Sequence, residues 1–140
     1  MYLLAKDPED LAVISACLQD ALVRFSDMSY IPKQHRFAAV CNRFRWEQLD
    51  QHERVRCGIH FDGILSTQVR GIDQKDQQRV LELLTIRSMQ TGLHNWHLEL
   101  IFSGVRSVRL EAEVIECQLR DLSEPWKTRK RPFHGLDSDL

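Results

Sequence analysis

The chain has 140 residues, of which 28% are charged and 43% are hydrophobic, and its formal net charge is −1. This composition is that of one ordinary globular domain, and it excludes a largely disordered chain. The near-neutral charge gives no overall attraction to nucleic acid or to an anionic membrane, and no apolar run approaches the ~20 residues that cross a bilayer. We therefore expect no membrane association.

The first seven residues lack a basic segment followed by a long apolar one, so we expect no signal peptide. The four cysteines, Cys17, Cys41, Cys57 and Cys117, are scattered and never form a Cys-x-x-Cys motif. Their apolar neighbours favour buried free thiols over disulfides. The sequence therefore predicts a cytoplasmic protein with reduced cysteines.

An N-terminal helix is predicted after a short strand over residues 2–5. Asp7 suits the N-cap of this helix and Pro8 its first position, and the acidic residues that follow face the positive end of the helix dipole. We expect the helix to end near Gln19. Its apolar residues recur at the spacing of one helical face: Leu11, Ile14 and Leu18.

Most of the remaining chain alternates apolar and polar residues at the period of a strand with one buried face. The pattern predicts one strand over residues 22–30 and a second over 36–46, joined by a turn at Pro32. The dipeptide Asp62-Gly63 is the strongest hairpin signal in the chain, and it predicts that its two flanking strands pair. Further strands are predicted over residues 55–61, 64–69, 80–89, 96–102 and 108–112.

From Val114 the apolar period changes, and residues 114–122 fit one broad face of a helix that Pro125 must end. The predicted fold class is therefore α+β and mostly antiparallel β: about seven strands in a curled sheet or barrel, with an N-terminal helix and a C-terminal closing helix. Pleckstrin-homology-like barrels share this order of elements, which is an analogy of architecture alone. We predict a single domain over residues 1–125 and a polar, partly disordered tail over residues 126–140.

Two clusters combine basic with aromatic residues, a combination that suits phosphate groups, stacked bases or acidic protein surfaces. A solvated tail that keeps the domain soluble is the alternative interpretation of the second cluster, but a tryptophan in a polar tail needs a surface to dock on. The first cluster ends the strand over residues 36–46 and contains Arg43, Arg45 and Trp46. The second is the sustained basic run near the C-terminus, with Trp126, Arg129, Lys130 and Arg131.

The histidines suggest a different class of function, a small enzyme or metal-dependent protein that uses His60, His94 and His97. His-x-x-His supplies two imidazoles, but a metal site needs a third ligand, and positions 94 and 97 of a strand point to opposite faces. A solvent-facing loop pair is the simpler interpretation. The sequence has no glycine-rich phosphate loop and no nucleophile motif, so we expect no cofactor.

Several segments together resemble a family of short alphaproteobacterial proteins of unknown function, and the resemblance covers essentially the whole chain. These segments are residues 8–16, 36–37, 42–44, 60–62 and 70–73, and the motif Trp126-x-Thr-Arg-x-Arg-Pro. The resemblance implies a bacterial cytoplasmic setting and transfers no activity or site residue. The sequence thus favours a non-catalytic binding module whose basic-aromatic tail contacts a protein or nucleic acid, and it leaves homo-oligomerisation open.

Overall fold

The computed structural model describes residues 1–128, so most of the predicted tail, including Arg129, Lys130 and Arg131, lies outside the described residues. Within residues 1–128 the chain forms one α-helix, ten strands and two short 3₁₀ helices. In chain order the α-helix and strands are β1 (Tyr2–Ala5), α1 (Pro8–Cys17), β2 (Leu22–Ile31), β3 (Arg36–Phe44), β4 (Glu53–Phe61), β5 (Ile64–Arg70), β6 (Val80–Gly92), β7 (Asn95–Phe102), β8 (Arg106–Ala112), β9 (Cys117–Asp121) and β10 (Trp126–Lys127). The 3₁₀ helices are Pro32–Gln34 and Trp46–Gln51.

The strands form a single open sheet in the order β1-β9-β4-β3-β2-β6-β7-β8-β5, with β10 paired to the first residues of β4. Every pairing is antiparallel, so the predicted mostly antiparallel β fold is confirmed. Because the order has two ends, β1 and β5, the sheet is not a closed barrel. The predicted number of strands is too low because β9 and β10 lie in segments for which the sequence predicts a helix and a tail.

The predicted C-terminal closing helix is wrong, since Cys117–Asp121 is strand β9, which inserts between β1 and β4. The helical interpretation needed Val114 and Leu122 on its buried face, but these two side chains are exposed. Cys117 and Leu119, at strand spacing, are the residues that are buried. As a strand, this segment pairs with β1 on one side and with β4 on the other, which satisfies its backbone N–H and C=O groups.

Asp62-Gly63 turns the chain as predicted, with Gly63 at a φ of +72°, but the strands that flank it do not pair with each other. Strand β4 pairs with β3 and β9, whereas β5 pairs with β8 at the opposite end of the strand order. The hairpin prediction is therefore wrong. A tight turn fixes only the local change of direction. The pairing partner of the strand that follows depends on which apolar faces pack together in the core.

Helix α1 lies against β6 and β1 and buries the three predicted apolar residues, Leu11, Ile14 and Leu18. Asp7 caps it, because its side chain accepts a hydrogen bond of 2.8 Å from the backbone N–H of Asp10. The helix joins the sheet by a buried polar contact, in which Ser15 Oγ accepts from the backbone N–H of Ile86 at 2.9 Å. No helix in residues 1–128 is long and apolar enough to cross a membrane.

Three of the four free cysteines are buried, and two of these three lie side by side on neighbouring strands. Cys41 on β3 pairs in register with Cys57 on β4, and their Sγ atoms lie 2.8 Å apart. The contact with Cys41 and burial together raise the pKa of the Cys57 thiol, and burial raises the pKa of Cys117. A raised pKa leaves little thiolate, which is the nucleophilic form.

Cys41, Cys57 and Cys117 should react slowly with a thiol reagent in the native protein, because burial denies the reagent access to all three thiols. The half-buried Cys17 provides the internal comparison and should react first. The measurement is the time course of labelling by 5,5′-dithiobis(2-nitrobenzoate), with the modified sites assigned by mass spectrometry. Rapid native labelling of all three buried thiols, or a disulfide mass in freshly isolated protein, would contradict the prediction.

Candidate functional site

The strands β2, β3, β4 and β9 have one face on the hydrophobic core and a second, outer face that is open. On β3 and β4, buried residues alternate with half-buried or exposed ones, which separates the two faces residue by residue. The strand register places the outer residues in rows: Val40, Gly58 and Arg120 form one row, and Asn42 and Arg56 face each other in the next. The strand register thus fixes which side chains are neighbours on the outer face.

Two adjoining cavities of about 460 and 390 Å³ lie on this face and share Val40. Their sizes fall in the range of small-molecule sites, although both are open to solvent. We call the combined surface the outer groove, lined by Arg24, Val40, Asn42, Arg56, Gly58 and Leu122.

One end of the outer groove is polar and basic. Arg56 is exposed, and its guanidinium makes no hydrogen bond or ion pair with any residue of the described chain. Arg24 donates to Gln78 Oε1 at 2.8 Å, which holds it at the rim. Asn42 Oδ1 is buried between them without a hydrogen-bond partner in residues 1–128. Asp27 also lines this end and supplies its negative charge.

The other end of the outer groove has an apolar floor of small residues. Gly58 lies in the middle of β4, where a side chain would otherwise project into the groove. A Cβ added there would meet Leu122 Cδ1 at 3.4 Å, an ordinary van der Waals contact, so Leu122 lies over the strand at this point. Glycine inside a strand weakens it and often marks a close approach of another group. A side chain larger than alanine at position 58 would need the space that Leu122 occupies.

A cluster of charged and polar side chains borders the apolar end of the outer groove. Arg36 Nε donates to Asp62 Oδ1 at 2.8 Å, and Asp62 Oδ2 lies 3.4 Å from His60 Nδ1. That second contact lacks hydrogen-bond geometry, so His60 Nδ1 is a buried polar atom without a hydrogen-bond partner among the described residues. Three such atoms occur in residues 1–128, and two of them, on Asn42 and His60, line the same face. Both atoms have almost no accessible surface, so they are a cost to the folded protein and do not themselves contact a molecule in the groove.

The predicted site residue Arg43 lies on the opposite face and is fully buried. Its guanidinium donates to both carboxylate oxygens of Asp121, at 2.9 and 2.8 Å, and to both of Glu47, at 2.9 and 2.8 Å. The N-terminal ammonium group adds a 3.2 Å contact to Asp121 Oδ2. The guanidinium N–H groups of Arg43 therefore have their acceptors inside the protein, and the role of this residue is structural.

The carboxylates around Arg43 make stability depend on pH. Burial alone would raise the pKa of Asp121, but the hydrogen bond from Arg43 and the nearby positive charges hold it below its ordinary value. The hydrogen bond from Arg43 likewise lowers the pKa of Glu47 against the opposing effect of burial. A lowered folded-state pKa contributes stability that is present above the unfolded-state pKa and is lost as the pH falls through the folded-state value.

The urea midpoint of unfolding should accordingly be constant near neutral pH and fall below about pH 4–5, where unfolded carboxylates begin to bind protons. Asp121→Asn removes one of the two titrating groups and should flatten the acid limb of the midpoint curve. Urea denaturation followed by tryptophan fluorescence at pH 7, 5, 4 and 3 measures both curves. An acid limb of the same steepness in the variant would show that Asp121 does not contribute to it.

The other predicted residues of the first cluster, Arg45 and Trp46, also make internal contacts. Arg45 Nη1 donates to Glu53 Oε1 at 2.6 Å. The Trp46 ring packs edge-on against Phe44 with centroids 4.7 Å apart, and its Nε1 donates to the backbone oxygen of Gln19 at 2.9 Å. Arg43 and Arg45 both contact Glu47, so the first cluster is held together where β3 ends.

The second cluster begins inside the described chain. Trp126 pairs with Arg54 as the first residue of β10, and its side chain is 40% exposed. The backbone N–H of Thr128 donates to the His52 oxygen at 2.8 Å, so the chain is held to β4 up to this point. The basic residues that follow lie outside the described residues.

The three histidines of the metal hypothesis are not brought together. His60 is on β4 and His97 on β7, and three strands separate these two in the sheet. His94 is exposed in the turn between β6 and β7. No group of three or more His, Cys, Asp or Glu side chains in residues 1–128 is placed to hold a metal ion.

Sequence reasoning missed the residues that form the outer groove, above all Asn42, Arg56 and Gly58. One local signal was present, since Gly58 interrupts the outward positions of an otherwise regular alternating strand. Asn42 and Arg56 carry no such signal. They become neighbours only through the register of β3 against β4.

Comparison with protein families shows that the chain belongs to a family described as "Protein of unknown function (DUF2948)", whose model matches residues 1–134. The expected membership of a family of unknown function is confirmed. Comparisons with curated proteins and with solved structures found no match.

Proposed function

We propose that this member of the DUF2948 family is a non-catalytic binding module that holds an anionic ligand in the outer groove. The observation that carries the proposal is the meeting, on one open face, of two adjoining cavities and a group of arginines. Arg56 is exposed there, and its guanidinium has no hydrogen bond or ion pair within residues 1–128. Val40 and Gly58 form the apolar floor beside it.

Charge explains why the ligand is an anion although the protein as a whole is slightly negative. Arg24, Arg36, Arg56 and Arg120 all border the groove. Arg120 is exposed, and its guanidinium carbon lies over the Tyr2 ring, 5.2 Å from the ring centroid. Arginines grouped at a cavity bind carboxylate or phosphate groups through paired N–H donors.

The basic tail is a second candidate surface, with a protein or a nucleic acid as its partner. The observation in its favour is that β10 and Thr128 fix the point from which Arg129, Lys130 and Arg131 continue. We extend the proposal to the setting, an alphaproteobacterial cytoplasm. Its support is the resemblance described above and the free, buried state of Cys41, Cys57 and Cys117, which suits a reducing compartment.

The test uses 1-anilinonaphthalene-8-sulfonate, an aromatic anion whose fluorescence rises when it is bound. We expect saturable binding to the wild type and at least about tenfold weaker binding to an Arg56→Ala/Arg120→Ala variant, since a single hydrogen bond to a charged group contributes about 1.5–3 kcal/mol. Binding should also weaken as salt increases. Gly58→Val should weaken binding, because its methyl groups need the space that Leu122 occupies and push that side chain into the groove.

Two controls locate the site. Arg87→Ala removes an exposed arginine of β6, away from the groove, and should bind the probe as the wild type does. A variant with Arg129, Lys130 and Arg131 replaced by alanine should also keep probe binding. Loss of binding in the tail variant together with full binding by the Arg56→Ala/Arg120→Ala protein would transfer the function to the tail and overturn the groove proposal.

A further inference from the structure

The polar end of the outer groove lies where strand β2 separates from β3. Val23 is opposite Cys41 and Met28 is opposite Ala39, so the chain advances five positions on β2 and only two on β3. The extra residues of β2, 24–27, bulge away, and two of their backbone N–H groups donate at 2.9 Å to the loop that precedes β6. Bulges redirect side chains and are frequent beside functional sites. The cavity of about 460 Å³ lies at this gap, between the bulge and β3.

Three charged side chains line this cavity, and all three are accessible to a small molecule. Arg24 and Asp27 belong to the bulge, and Arg56 comes from β4. Both arginines are exposed, and Asp27 is half-buried. Within the described chain, Arg24 donates only to the neutral Gln78, and the side chains of Asp27 and Arg56 make no hydrogen bond. Their charges are therefore available to a ligand.

The opposite charges of the cavity are kept apart from each other. Asp27 forms no ion pair with Arg24, Arg56 or any other residue of 1–128, although all three side chains line one cavity. Several other arginines do have a carboxylate partner, for example Arg109, which pairs with Glu99 at 3.3 Å. The space between the unpaired charges is thus suited to a ligand that carries charges of both signs.

The number of charges narrows the class of ligand. Arg24 and Arg56 supply two positive charges and Asp27 supplies one negative charge, so the complementary ligand has two negative groups and one positive group. An amino acid with an acidic side chain has this composition, because it carries two carboxylates and one ammonium group. The size of the cavity falls in the range of small-molecule sites. Such a ligand is also an anion overall, as the proposed function requires.

From these charges we infer that the cavity binds an acidic amino acid. Arg24 and Arg56 each pair with one carboxylate, since the paired N–H donors of a guanidinium match the two oxygens of a carboxylate. Asp27 accepts hydrogen bonds from the ammonium group of the ligand. The inference rests on the proposed binding function of the outer groove and specifies the anion that it holds.

The experiment is an NMR titration of the full-length ¹⁵N-labelled protein with L-glutamate and L-aspartate. The tighter of the two is then compared with three analogues that each lack one charge. For glutamate these are glutarate, without the ammonium group, 4-aminobutanoate, without the α-carboxylate, and L-glutamine, with a neutral side chain. For aspartate they are succinate, 3-aminopropanoate and L-asparagine. We expect the backbone signals of Ser26 and Val40 to shift saturably, and each analogue to bind about three- to tenfold more weakly because it lacks one ionic contact.

Asp27→Asn supplies the decisive comparison, because it removes the negative charge and preserves the shape of the side chain. This variant should bind the dicarboxylate analogue as tightly as the wild type does, or more tightly, and should lose the preference for the amino acid. Asp27→Ala repeats the comparison if the asparagine variant is poorly folded. Arg56→Ala should weaken binding of the amino acid about three- to tenfold, whereas Arg87→Ala, away from the groove, should bind it as the wild type does.

Two results would overturn the inference and leave the anion-binding proposal intact. One is equal wild-type affinity for the amino acid and its dicarboxylate analogue, and the other is an unchanged preference in Asp27→Asn. The absence of any groove shift with both amino acids would overturn the inference too, while the fluorescence titration judges the binding proposal separately.

Discussion

Replacing Arg43 by alanine should lower the free energy of unfolding by about 3–5 kcal/mol, because removing one partner of a buried ion pair leaves the others uncompensated. Arg43 is fully buried and donates to Asp121 and Glu47. Glu47 is about one-third exposed, so water can replace part of its interaction. The larger part of the loss should come from Asp121 and from the cavity left by the arginine stem. Urea denaturation at pH 7 measures the change.

Two comparison variants, Arg43→Lys and Arg87→Ala, are measured in the same way. Lysine keeps the charge but cannot reproduce the paired N–H donors, so an intermediate loss is expected. Arg87 is exposed on β6, and its replacement should change stability by no more than about 0.5 kcal/mol. A loss below about 1 kcal/mol for Arg43→Ala would show that the buried network is nearly neutral, as some buried ion pairs are.

Leu100→Ala should cost about 2–5 kcal/mol, the range for a buried leucine whose removal leaves a cavity. Leu100 is 3% exposed on β7, between Ile86 of β6 and Val108 of β8. Because neighbours on both sides are held by strand pairing, the core has little freedom to close over the missing methyl groups. The same urea measurement applies.

Leu93→Ala is the matched control, because Leu93 is 83% exposed in the turn between β6 and β7. Its replacement should change stability by no more than about 0.5 kcal/mol. If Leu100→Ala also costs less than about half a kcal/mol, Leu100 does not contribute to the core as its position indicates.

The local sequence pattern was sufficient to predict several individual helices and strands. Asp7, Pro8 and the apolar spacing that follows predict helix α1, because a cap and a helical face involve only residues a few positions apart. The alternation from Val55 to Phe61 and from Trp96 to Phe102 predicts strands β4 and β7 for the same reason. In each case the structure has the element where the pattern places it.

The sequence by itself therefore determined a mostly antiparallel β protein with an N-terminal helix, since these properties follow from short-range periodicity. Only the tertiary structure decided that Cys117–Asp121 is a strand and that β4 and β5 have different partners, because pairing depends on distant buried faces. It also decided which arginine is paired. Arg43 and Arg56 are both cations in strands, but Asp121, 78 positions from Arg43 in the sequence, pairs with it, while Arg56 has no counter-ion within residues 1–128. Whether a charge in a strand is paired depends on residues that only the fold brings together.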